Sequence, residues 1–114
     1  YEVAEIITGA PANILRAIAI TESNENDDAV GDDGISRGRM QLNELYHDER
    51  VMKYGEYNPF NSLGSVVIAG FLFMDNLVRL GDIDKAIAAH RQGVNGVRKY
   101  GASEWYVNRV KSNL

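Results

Sequence analysis

The sequence predicts a mainly α domain, and three observations carry that prediction. Apolar residues recur at helical spacing along most of the chain. Gly9, Pro11, Gly81 and Gly93 mark the ends of these runs. One stretch alone, "NENDDAVGDDGISRG" (24–38), is long, acidic and without apolar periodicity. In order, the first helix is expected over residues 2–8, closed by Gly9 and Pro11. A second covers 12–23, giving way to Asn24, Asn26, Asp27 and Asp28. The acidic loop follows, its three glycines favouring turns and a short hairpin. A third helix is expected from Met40 to Lys53, with Met40, Leu42, Leu45, Val51 and Met52 as its apolar residues. The longest helix starts at Asn61 or Ser62, either of which can cap it, and runs to Leu80. Gly81 stops it and Asp82 caps the next, "IDKAIAAHRQ", which ends at Gly93. Beyond a Gly-rich turn, Ser103 caps a last helix carrying Tyr106, Val107 and Val110.

At 114 residues the chain suits a single domain, 1–114, able to bury a core without disulfides or a structural metal. Lys and Arg number 12 against 16 Asp and Glu, a net charge of -4, and no basic run appears. This balance speaks against nucleic acid as a partner and for a neutral or weakly charged substrate. The absence of cysteine excludes a Cys nucleophile and Cys-ligated metals. No apolar stretch is expected to reach the length of a membrane span. The first residue is Tyr, as in a mature protein or an excised domain, and no signal peptide is visible.

Glu22 raises the first chemical question. In a helix over 12–23 it falls on the stripe of Ile14, Leu15 and Ile18. One reading turns it outward to solvent at the helix end. The other makes it a general acid, because a carboxyl against apolar surface resists ionisation and can hold a proton near neutral pH. Position alone leaves both open.

Other patterns resolve more easily. "GISRG" matches the letters of a nucleophile elbow, but no strand precedes Ser36 and the chain is too short for the α/β sheet that motif needs. Ser36 is better placed to shape the loop or to bond a carboxylate. A calcium loop starting at Asn24 would put Ala29 where Gly is required and Ile35 where Glu is required. His47 and His90 stand far apart and outside any H-E-x-x-H pattern, so no metal site is expected. Phe71 is assigned to the core. Tyr46, Tyr54, Tyr57 and Tyr106 divide between packing and a sugar-binding groove.

Taken in order, "AIAITES", "GISRGRMQL", "NPFNSLGS", "AIAAHRQGVNGV" and "YVNRV" resemble the lytic transglycosylase domain of the soluble lytic transglycosylase (SLT) type, related to goose-type lysozyme. The resemblance spans about Ile14 to Val110. It implies a lysozyme-like α fold in which the long loop or hairpin forms one side of a glycan groove. It also implies cleavage of the β-1,4 bond between N-acetylmuramic acid and N-acetylglucosamine in peptidoglycan, leaving 1,6-anhydromuramic ends. On this resemblance the catalytic acid is Glu22, with Ser23 beside it. Met40 and Gln41 of the Gly-x-Met-Gln box line the groove, brought there by a loop of Gly34, Ser36 and Gly38. Asn61 opens the long helix, and Tyr106 lies near the glutamate. Met40, Tyr106 and His90 are expected to shape apolar and stacking surfaces, and Gln41 to hold a sugar.

The chain departs from the family pattern at three places. It reads Ala89-His90-Arg91-Gln92-Gly93 where Ala-Tyr-Asn-Ala-Gly is usual, Arg39 replaces an apolar residue in the box, and the preceding loop is one residue longer. The resemblance implies no cofactor and no metal, a monomer acting on peptidoglycan strands, no nucleic acid, and a place in the bacterial envelope, periplasmic or extracellular. A lysozyme-like hydrolase using Asp32 or Asp33 with Glu22 is the enzymatic alternative. A non-catalytic peptidoglycan-binding scaffold of an envelope assembly is the other.

Overall fold

The computed structural model describes residues 1–114 and contains six helices and a small sheet. Helix α1 (Glu2–Thr8) ends at Gly9 in the left-handed region. Helix α2 (Ala12–Ser23) starts just after Pro11, and the Glu5 carboxylate accepts the free N–H of Ala12 at 2.9 Å, so the first helix caps the second. Asn24 closes α2 at φ 54, a conformation that Asn tolerates better than most residues. Ile14, Leu15 and Ile18 are buried as their spacing requires, and Glu22, on the same stripe, is half-buried at the helix end.

The acidic loop folds as a three-stranded antiparallel sheet of two-residue strands, β1 (Val30–Gly31), β2 (Ser36–Arg37) and β3 (Leu42–Asn43). Val30 pairs with Arg37 and Gly31 with Ser36; Ser36 then pairs with Asn43 and Arg37 with Leu42. The third helix is shorter than its sequence suggests. Met40 lies in the turn between β2 and β3, a 3-10 turn covers Glu44–Tyr46, and α3 occupies only His47–Tyr54. Leu45 and Met52, assigned to an apolar face, are largely exposed, because the sheet takes Met40 and Leu42 for its own buried side.

Asn61 is the residue that caps α4 (Ser62–Leu80), accepting from the Gly64 N–H at 2.8 Å. By length and composition α4 could cross a bilayer, so the expectation that no apolar stretch reaches that length fails. In this fold it serves as the central helix: Val66, Ile68, Ala69 and Phe73 are buried, and α1 and α5 pack against it. Phe73 is the core aromatic of α4, whereas Phe71 is half-buried and stacks on Tyr54 with ring centroids 5.3 Å apart. Asp82 caps α5 (Ile83–Tyr100) through the Lys85 N–H. The expected stop at Gly93 is a break and not an end: Gly93 leaves the helical region (φ 71, ψ 163), and helical structure resumes to Tyr100. Ser103 caps α6 (Glu104–Lys111), which packs on α2 and α5.

Gly38 is the position at which the sheet meets the entry to α4. Its φ is +80, and a Cβ there would stand 1.8 Å from the Pro59 carbonyl oxygen. Gly38→Ala is therefore expected to cost about 3 kcal/mol in urea unfolding, combining backbone strain with a collision against main chain. Gly55→Ala, also at positive φ (98) but facing open space, is the control and should cost about 1 to 2 kcal/mol, from backbone strain alone.

Candidate active site

Glu22 sits where α2, the Gly38–Gln41 turn, α5 and α6 converge. The Tyr106 hydroxyl donates to Glu22 Oε2 at 2.6 Å across 84 residues of sequence. Ser103 orients this tyrosine by accepting the Tyr106 N–H at the start of α6. Tyr106 is completely buried. Burial first, and then the facing Glu22 carboxylate, push the phenol well above its usual value, while the Arg91 charge pulls weakly the other way. Tyr106 is thus a fixed neutral donor to the carboxylate, not the stacking surface expected of it.

Three side chains, Ser23, His90 and the box's own Gln41, fix the box beside this centre. Ser23 Oγ donates to the Arg39 carbonyl at 2.7 Å, tying the end of α2 to the turn, and accepts the Asn26 N–H at 3.1 Å. His90 Nε2 lies 2.6 Å from the Met40 carbonyl oxygen. A carbonyl only accepts, so Nε2 carries the hydrogen and α5 is clamped to the box. The Gln41 amide donates to the carbonyls of Ala29 and Gly38 at 3.2 and 2.9 Å, holding a backbone that is itself left-handed at φ 50. Met40 is fully buried and shapes the core beneath the turn, correcting its assignment to the groove surface. Ser36 is also buried and donates to Asp32 Oδ2 at 2.6 Å within the hairpin. Arg39 turns away from the groove: it pairs with Asp27 at 2.9 Å and donates to the Tyr1 hydroxyl at 2.8 Å.

With the centre and its supports in place, comparison with known proteins decides the family. The transglycosylase SLT domain family matches residues 2–110. The chain belongs to that family. A search of curated proteins gave no match. The mainly helical SLT fold and its small sheet agree with the architecture expected from the sequence. Family membership associates this SLT domain with lytic transglycosylase-type chemistry on peptidoglycan in general.

A groove of about 440 Å³ runs beside the centre of this SLT domain. The box and β3 supply Gln41 and Asn43, α3 supplies Arg50 and Tyr54, α4 supplies Asp75 and Arg79, and α5 supplies His90 and Arg91. Gln41 and His90 were expected in such a groove and Tyr54 was a candidate for one; Arg50 and the α4 side chains were not. Their signal was present in "FMDNLVRL", where Asp75 and Arg79 interrupt an apolar helix four residues apart, much as Glu22 interrupts α2. Tyr54 donates to Asp75, which Lys53 also pairs at 3.0 Å. Desolvation alone would raise the Asp75 carboxyl, but hydrogen bonds from Tyr54 and Lys53 outweigh it and hold it below its usual value. Burial and the Asp75 partner raise the Tyr54 phenol. The lining stops short of Glu22. Arg91 lines the groove and also lies 5.8 Å from the centroid of the Tyr106 ring.

The raised Tyr106 phenol has a consequence for alkaline stability. Folded Tyr106 keeps its proton when the unfolded chain has begun to lose it, so its contribution is fully present below pH 10 and is lost above it. Chemical unfolding at pH 9 to 11 should show stability falling with pH. The slope should be shallower in Tyr106→Phe, with the raised Tyr54 and Tyr1 phenols supplying what remains.

Proposed function

We propose that this SLT domain cleaves the β-1,4 bond between N-acetylmuramic acid and N-acetylglucosamine without water, using Glu22 as the single acid and base. The observation that carries the reading is the Tyr106–Glu22 hydrogen bond in a chain of this family. One carboxylate oxygen is held by a buried phenol, and the other has no protein donor and is free to meet a substrate. In the reaction, the Glu22 carboxyl donates its proton to the glycosidic oxygen as the bond to the muramic anomeric carbon breaks. The substrate's acetamido group stabilises the carbon left electron-poor. The muramic C6 hydroxyl then attacks it and returns its proton to Glu22, closing a 1,6-anhydro ring. Bond and proton balance are complete, so no second carboxylate is required. Two-carboxylate glycosidases need one to activate water or to form a covalent intermediate.

The supporting residues act through Glu22 and the box. Tyr106 fixes the rotamer of the carboxyl, Ser23 and His90 hold the turn, and the Gln41 amide, expected to hold a sugar, is instead engaged by the Ala29 and Gly38 carbonyls. The lysozyme-like alternative has less behind it, since Asp32 is engaged by Ser36 in the hairpin and Asp33 is exposed on its tip. The site of action on this reading is the bacterial envelope.

Glu22→Gln should lower turnover of purified sacculi by about a thousandfold while leaving the thermal midpoint near wild type. Mass spectrometry should find anhydro-muropeptides from the native protein. Products heavier by one water would establish hydrolysis instead. Tyr106→Phe, which keeps the packing and removes the donor, should reduce kcat by about tenfold to a hundredfold with little change in KM.

A further inference from the structure

The groove carries a charge opposite to that of the chain. Four cationic side chains, Arg50, Lys53, Arg79 and Arg91, line it against two anionic ones, Glu49 and Asp75, in a protein whose net charge is -4. The four are not equivalent. Arg50 is buried and donates to the Asn43 carbonyl and the Tyr57 hydroxyl. Lys53 is paired with Asp75. Arg79 and Arg91 are exposed and have no carboxylate within ion-pair distance.

Arg91 is also held in place. Its guanidinium lies 5.9 Å from the Trp105 ring centroid and 5.8 Å from that of Tyr106, and Arg109 sits 5.8 Å from the same Trp105 ring. A guanidinium held against aromatic rings loses conformational freedom while its in-plane N–H donors stay available. It is thus arranged to accept a planar carboxylate in a two-point contact, one side chain away from Glu22.

From this geometry we infer that Arg91, with Arg79 farther along the groove, selects anionic substrate, namely glycan strands whose muramic residues carry carboxylate-bearing peptide stems. The inference rests on the peptidoglycan reading above. The sugar backbone is neutral, so the stem carboxylates are the negative groups that a cation in this position would meet. Arg91 is accordingly a specificity-determining residue, and the substrate is more charged than the overall composition suggests.

The test compares two probes: soluble, teichoic-acid-free glycan fragments bearing stems, and the same fragments stripped by an amidase, with the lactyl carboxylates that this frees then capped as neutral amides. Binding is measured calorimetrically in a Glu22→Gln background, where turnover does not interfere, and kcat/KM is measured in the native background. Arg91→Met keeps an unbranched apolar side chain and removes the charge. It should weaken binding of stem-bearing glycan about tenfold more than binding of stripped glycan. Arg91→Lys should recover part of the difference, and raising salt should shrink the native preference. Equal losses on both probes, no loss on either, or failure of the Glu22→Gln protein to bind either glycan would overturn the inference. Stem-selective binding by a native protein that leaves sacculi uncut would overturn the proposed reaction and leave the selectivity standing.

Discussion

The 2.6 Å contact between the Tyr106 hydroxyl and Glu22 joins the last helix to the end of the second, and the site is organised around it. A carboxyl on a core-facing stripe must be compensated or its helix end is destabilised. Compensation here comes from a phenol that has no exposure to solvent and whose backbone is set by the Ser103 cap. The arrangement is reciprocal. Glu22 satisfies a hydroxyl that would otherwise be buried without a partner, and Tyr106 gives the carboxyl one orientation. The packing of α6 on α2 is therefore also the positioning of the candidate acid.

The Gly38–Gln41 turn is the second constraint, and it is held from several sides. Gly38 lies against the Pro59 backbone, Ser23 reaches the Arg39 carbonyl, and His90 reaches the Met40 carbonyl. Main-chain acceptors receive both of these contacts, while the turn's own Gln41 and Arg39 side chains add bonds to Ala29, Gly38, Asp27 and Tyr1. His90 occupies the place of a usual tyrosine in the family pattern, and its hydrogen bond shows what an imidazole can do there: it fixes the box. The neighbouring Arg91 brings a charge into the groove that an asparagine would not. Together the two departures exchange a neutral edge of the groove for a clamp and a cation.

Much of the helical framework was legible in the sequence because caps and stop signals are local. Asn61, Asp82 and Ser103 each accept a nearby backbone N–H, and Gly9 and Gly81 each take the left-handed conformation that ends a helix. The third helix was misread because "MQLNELYHDERVMK" has an apolar spacing that fits a helix, while sheet pairing and the left-handed Gln41 decide its first half. The continuation past Gly93 was missed for the opposite reason. A glycine that stops a helix and one that interrupts it carry the same letter, and packing of Val97 into the core makes the difference.

What the sequence by itself determined was a mainly α chain with one polar loop, an anomalous glutamate on an apolar stripe, and a box whose order with the other motifs marks the family. It also held the charges that line the groove, though nothing in their spacing said that they would meet. Tertiary structure alone decided that Met40 and Tyr106 are buried supports, that Ser23 and His90 bond the same turn, and that Arg91 of the groove lies near the Tyr106 ring. The physical reason is range. Helix periodicity and capping act within a few residues, whereas the partner of Glu22 lies 84 residues away and is chosen by how the helices pack.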